Sequence, residues 1–113
     1  MQDTVLLCEL FDVYGALLSA RQQEVFSLRY TEDLSLAEIA ETLSISRQGA
    51  RDAILHAEEA LLRAEERLGL RAREEALRRD LDELERLAKN GDCAALLDTI
   101  AAIRTRIDRK SVV

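Results

Sequence analysis

Residues 34–57, LSLAEIAETLSISRQGARDAILHA, decide how this chain is read. Ser35, followed three residues later by Glu38, makes a capping box, the local signal that starts a helix. Leu36, Ile39, Ala40 and Leu43 recur at helical spacing and so share one face. Ser46 offers a second N-cap a few residues on, and Ala50, Ile54 and Ala57 carry an apolar stripe behind it. Two helices joined by so tight a turn form a helix-turn-helix, whose second helix presents its opening turns to a major groove. Here those turns hold Ser46, Arg47, Gln48 and Arg51, the candidate nucleic-acid-binding residues. A guanidinium can take guanine through two bonds, and a carboxamide can take adenine. A solvated helix face accounts for the same residues without a ligand, so both readings stay open. Gly49 costs a helix up to ~1 kcal/mol against alanine unless a neighbouring helix or backbone needs the space.

Charge pulls against the obvious reading. Up to Leu70 six basic residues face thirteen acidic ones; beyond it ten face nine, and the whole chain carries −6. Polyanions are held mainly by cations. The candidate reading helix therefore lies in the acidic half, with Asp52, Glu58 and Glu59 close behind its arginines. The spacing supports a helix-turn-helix fold better than it supports autonomous DNA binding.

At 113 residues the chain fits one compact domain, or a small domain with an appendage. Abundant Ala, Leu, Glu and Arg, no Pro and four Gly point to an all-α protein. No apolar run approaches the ~20 residues of a membrane span, and no basic stretch precedes an apolar one as in a signal peptide. A cytoplasmic protein is expected. Cys8 and Cys93 form no CxxC or Cys/His pattern, which gives no metal site. Both fall on apolar stripes and read as small core residues. No Gly-rich phosphate loop or Ser/His/Asp set is present, so no enzyme, cofactor or small-molecule substrate is expected. His56 lies near Arg51, Asp52 and Glu59 on the helical surface and reads as a surface histidine able to make a pH-sensitive contact. Glu58-Glu59 and Glu65-Glu66 alternate with Arg63 and Arg67, the pattern of a solvated face with i,i+4 pairs such as Glu59–Arg63.

Outward from the motif, helical patterns fill the chain. The first spans about residues 4–14, with Val5, Leu6, Leu10, Phe11 and Tyr14 inward and Gly15 ending or bending it. Ser19 with Gln22 is a second capping box, opening a helix to about Tyr30 with Val25, Phe26 and Leu28 inward. Residues 31–33 make the loop. The helix begun at Ser46 keeps its stripe through Leu61, Ala64 and Leu68 to a C-cap at Gly69. A charged helix over about 72–89 places Leu77, Leu81, Leu84 and Ala88 on one face, and Asn90-Gly91 ends it. Asp92 caps a last helix to about Arg109 with Leu96, Leu97, Ile100, Ile103 and Ile107 inward. Residues 110–113 are expected to fray. The expected organisation is a helix-turn-helix domain over residues 1–70, with a long fourth helix, and a helical hairpin over 71–113 for dimerisation or packing. The stripes of 61–68 and 77–87 leave apolar surface for a second copy, so a homodimer with two reading helices at fixed spacing is expected.

Three stretches carry a family resemblance: LFDVYGALLSARQ (10–22), YTEDLSLAEIAETLSISRQ (30–48) and AEEALLRAEERLGL (57–70). Their order and spacing resemble the YlxM family of bacterial helix-turn-helix proteins. Beyond residue 70 the match is only to a charged helical appendage. The resemblance implies a fold similar to region 4 of bacterial sigma factors, often dimeric. It also implies a link to the signal recognition particle, because members are usually encoded beside its GTPase subunit. Regulation of that operon (transcription regulation through DNA binding), or an accessory role with the particle's RNA, is the implied function. Ser35, Glu38, Ile39, Ala40 and Glu41 match the first helix of the motif, and Ser46, Arg47 and Gln48 open the second. Members tend to carry Ala or Val at the places of Gly49 and Ala50, and Lys or Arg near that of His56. The alternative is a protein-interaction module that docks its acidic face on the particle's GTPase and binds no nucleic acid.

Overall fold

The computed structural model describes residues 3–111, and among them every regular element is helical. Helix α1 (Thr4–Tyr14) starts where the Asp3 carboxylate accepts from the amides of Val5 and Leu6 at 3.0 and 3.3 Å. A 3₁₀ turn (Gly15–Leu17) leads to α2 (Ala20–Phe26), opened by both arms of the Ser19–Gln22 capping box. The helix expected to continue regularly to Tyr30 instead widens into a π turn (Ser27–Thr31), closed by the Glu32 amide on the Ser27 carbonyl at 3.0 Å. Helices α3 (Leu36–Leu43) and α4 (Arg47–Leu68) follow.

The chain divides into two compact units, one ending at Arg71 and the other starting at Ala72. In the first, α4 is the axis of the core. Its Ala50, Ile54, Ala57 and Leu61 meet Leu7, Leu10 and Tyr14 of α1, Val25 and Phe26 of α2, and Ile39 and Ala40 of α3. Alanines at 50 and 57 hold neighbouring helices close, because a larger side chain would push them apart. Phe11 stacks on Phe26 with ring centroids 4.4 Å apart, a contact that adds aromatic attraction to the buried area. Two stripe positions depart from expectation. Val5 is exposed, and Leu7 takes its place in a 7-10-14 stripe. Leu68, in the last turn of α4, is exposed as well.

Helix α5 (Leu70–Lys89) begins in the first unit; from Ala72 on it forms an antiparallel pair with α6 (Cys93–Ser111), which is the second unit. Gly91 turns the corner at φ 70°, and the Asp92 carboxylate caps α6 through the Ala95 amide at 3.0 Å. Leu87 is buried; Leu84, Leu96, Ile100 and Ile103 are half-buried. Leu97 and Ile107, expected inward, are exposed, and so are Leu77, Leu81 and Ala88 of the apolar face of α5. The reason is geometric: two helices side by side share one line of contact, and each stripe is wider than that line. Towards the open end a groove of about 420 Å³ runs over Ala76, Leu77, Ile103 and Ile107. Cys93 is exposed and Cys8 half-buried, so only Cys8 sits near a core. Helix α6 is regular through Ser111, so the fraying expected from residue 110 does not begin there; residues 112 and 113 lie outside the described residues. Among the described residues no helix is long and apolar enough to cross a membrane.

Candidate nucleic-acid interface

The site is built by two caps and the turn between them. Ser35 starts α3 by accepting from the Glu38 amide at 3.1 Å, while Glu38 accepts from the Ser35 amide at 3.0 Å. The Ser35 amide first, and the Ser35 hydroxyl second, hold the Glu38 carboxyl below its usual value. Helix α3 ends on Ser44 in the left-handed conformation (φ 57°, ψ 45°), and the Ile45 amide turns back to the Ala40 carbonyl at 2.9 Å. Ser46 is extended (φ −72°, ψ 160°), and its hydroxyl accepts from the Gly49 amide at 2.9 Å, which opens α4. The turn of residues 44–46 is therefore closed by local bonds, and packing on α1, α2 and α3 holds the rest of α4.

Gly49 acquires a specific reason from this geometry. A Cβ at that position would stand 3.1 Å from the Ser46 hydroxyl and 3.9 Å from the Ile45 Cβ. The space it leaves is taken by its own helix cap and the turn, not by a neighbouring helix.

Arg47, Gln48 and Arg51 all lie exposed on the opening turns of α4. Neither arginine closes an ion pair among the described residues. Gln48 donates to Asp52 at 2.9 Å, so its carboxamide is held along the helix surface rather than left to rotate. Ser46 is exposed, but its hydroxyl already serves the cap. Two free guanidiniums one turn apart, at the positive end of a 22-residue helix, form an anion-attracting edge. Glu38, Glu41 and Asp52 are exposed on the same two helices and oppose that attraction. His56 is exposed, two turns into α4.

The acidic pairs of α4 do not form the uniform solvated face the spacing implies. Glu58 is buried and accepts from the Tyr30 hydroxyl; Glu59 is exposed. Burial first, and Glu58 second, push the Tyr30 phenol up to about 12. Glu65 is half-buried and accepts from the Tyr14 hydroxyl at 2.6 Å and from the Arg71 amide at 3.0 Å. The Tyr14 oxygen in turn accepts from the Leu70 amide at 2.8 Å, and Arg71 pairs with Glu9 at 2.5 Å. Burial, then Glu65, raises the Tyr14 phenol too. The expected Glu59–Arg63 pair does not close. Two phenols thus tie α4 to the rest of the first unit at positions two turns apart on one face. The signal was in the chain: buried tyrosines need a hydroxyl partner, and Glu58 and Glu65 share a face at a spacing of seven.

Two short-linked helices with a capped, arginine-bearing second member define the helix-turn-helix class. The family model described as "Putative helix-turn-helix protein, YlxM / p13 like" matches residues 1–99, and the chain belongs to this family, UPF0122. A UPF0122 protein of Symbiobacterium thermophilum is 42% identical over 104 residues, covering 92% of this chain and 97% of its own. One from a Thermoanaerobacter species is 43% identical over 84 residues, 74% of this chain and 72% of its own. Another, from Desulforamulus reducens, is 51% identical over 59 residues, 52% of this chain and 50% of its own.

Proposed function

We propose that this is a non-catalytic, cytoplasmic regulator that binds nucleic acid through the start of α4. Arg47 and Arg51 meet phosphate or base edges, Gln48 contributes its carboxamide, and Ser46 holds the helix start in place. The observation that carries the reading is the pair of exposed guanidiniums without carboxylate partners, on a helix start capped by Ser46. Membership of a helix-turn-helix family supports it. The resemblance to YlxM proteins supports a role beside the signal recognition particle, with duplex DNA of its operon or the particle's RNA as ligand. As a homodimer the protein would present two reading helices at once.

The exposed carboxylates Glu38, Glu41, Asp52 and Glu59 favour a second reading, in which this acidic face docks on a basic protein such as the particle's GTPase. Fluorescence anisotropy separates the two. With labelled duplex DNA and a structured RNA at low salt, Arg47→Ala and Arg51→Ala should each weaken binding, and the slope against log salt should fall by about one per residue. Absence of binding to both nucleic acids at low salt overturns the first reading. Co-purification with the GTPase that is lost in Glu59→Lys supports the second; Glu58 is unsuited to that test, because its carboxylate is buried against Tyr30.

A further inference from the structure

The hairpin carries an apolar seam that its own two helices leave uncovered. Leu77, Leu81, Leu84 and Ala88 follow one another along α5 at alternating spacings of four, three and four, the heptad pattern of a helix that packs on another helix. Leu77 and Leu81 are 52% and 56% exposed, and Ala88 is exposed too. Arg78 and Glu85, one heptad apart, flank the seam on the same edge and are both exposed. Arg78 closes no ion pair among the described residues, and Glu85 reaches only Lys89 of its own helix, at 3.4 Å.

Charge decides which occupant fits. A second copy lying parallel would bring Arg73 against Arg78, a like-charge pair, and Glu85 near Asp80, whose carboxylate already accepts from Arg106 at 2.9 Å. An antiparallel copy centred between Leu81 and Leu84 does the reverse. It sets Leu81 against the partner's Leu84 and Leu77 against the partner's Ala88, each twice by symmetry. The same alignment places Arg78 beside the partner's Glu85, also twice. Every layer of the seam is then apolar against apolar, a long side chain meets a short one at both ends, and the flanking charges are opposite.

We propose that α5 closes this seam on the α5 of a second copy in antiparallel orientation, through Leu77, Leu81, Leu84 and Ala88 with Arg78–Glu85 pairs at the edges. The proposal rests on the homodimer reading above and is independent of nucleic-acid binding by Arg47 and Arg51.

Sedimentation equilibrium of the full chain at micromolar concentrations is the test. The unmodified protein should be a dimer. Leu81→Glu, checked by circular dichroism for unchanged helicity, should weaken association ~100-fold or more, because it buries a charge in the seam. Arg78→Glu and Glu85→Arg should each weaken it ~10-fold, and the two together should restore it. Orientation is read by oxidation in a Cys8→Ser, Cys93→Ser background. Chains with Leu77→Cys should cross-link to chains with Ala88→Cys and not to one another. A monomeric unmodified protein overturns the homodimer reading and this proposal together. A dimer indifferent to Leu81→Glu keeps the homodimer and overturns this interface, and Leu77→Cys chains cross-linking to themselves overturn the orientation.

Discussion

The two units handle similar apolar patterns in opposite ways. Around α4 the first unit buries twelve hydrophobic residues in one cluster, whereas among the described residues the hairpin buries Leu87 alone. The leucine-rich stripes of α4 and α5 are comparable as strings of letters. What differs is the number of neighbours: α4 is flanked by α1, α2 and α3, while α5 within its unit has only α6. A stripe states which face of a helix is apolar; the count of packed helices decides how much of that face leaves water.

Truncating a leucine in each unit gives the largest effect that could break this contrast. Leu61→Ala, at a fully buried position, should destabilise by about 3–5 kcal/mol, whereas Leu97→Ala, 66% exposed, should fall within about 0.5 kcal/mol of the parent. Chemical denaturation measures both, and equal losses would show that the hairpin stripe is covered as fully as the core. Next in size is Tyr14→Phe, which removes a buried hydroxyl that both donates to Glu65 and accepts from Leu70. It should cost about 1–3 kcal/mol by leaving those groups unmatched.

The same phenols make the first unit sensitive to alkali. Tyr30 and Tyr14 bind their protons more tightly folded than unfolded, so the unfolded chain releases them first as pH rises. Their stabilisation is whole below pH 10, the ordinary tyrosine value; the part due to Tyr30 is lost as pH climbs towards about 12, and the part due to Tyr14 as pH rises through its own raised value. Thermal unfolding followed from pH 9 to 12 should show a falling midpoint in the parent and a shallower fall in a Tyr14→Phe, Tyr30→Phe double variant.

Smaller changes sharpen the picture of the turn. Ser46→Ala should cost about 1 kcal/mol and speed amide exchange in the first turn of α4. Ser44→Gly should stabilise by up to about 1 kcal/mol, since serine holds a left-handed φ of 57° that glycine adopts freely. A loss there would mean that the Ser44 side chain makes a contact worth more than the strain it relieves.

Legibility in the sequence follows the same divide between near and far. The caps at Ser19, Ser35, Ser46 and Asp92 and the left-handed Gly69 act within a few residues, and all stand where the spacing puts them. The π turn at Ser27–Thr31 escaped, because nothing in its letters separates it from an ordinary helix end. Glu58 and Glu65 were misread as a solvated face because their partners, Tyr30 and Tyr14, are 28 and 51 residues away. At the candidate interface the positions and exposure of Arg47, Gln48 and Arg51 could be anticipated, whereas the Gln48–Asp52 bond and the space at Gly49 required side-chain geometry.

The phenol of Tyr14 also imposes an order on synthesis. Its acceptor and its donor lie 51 and 56 residues further along the chain. A nascent chain that has emerged only as far as α3 would have to leave that hydroxyl in water, and the surrounding pocket cannot close over it without cost. The buried Tyr14 hydroxyl therefore gains its acceptor and its donor only once the last turn of α4 and the residue after Gly69 have been made.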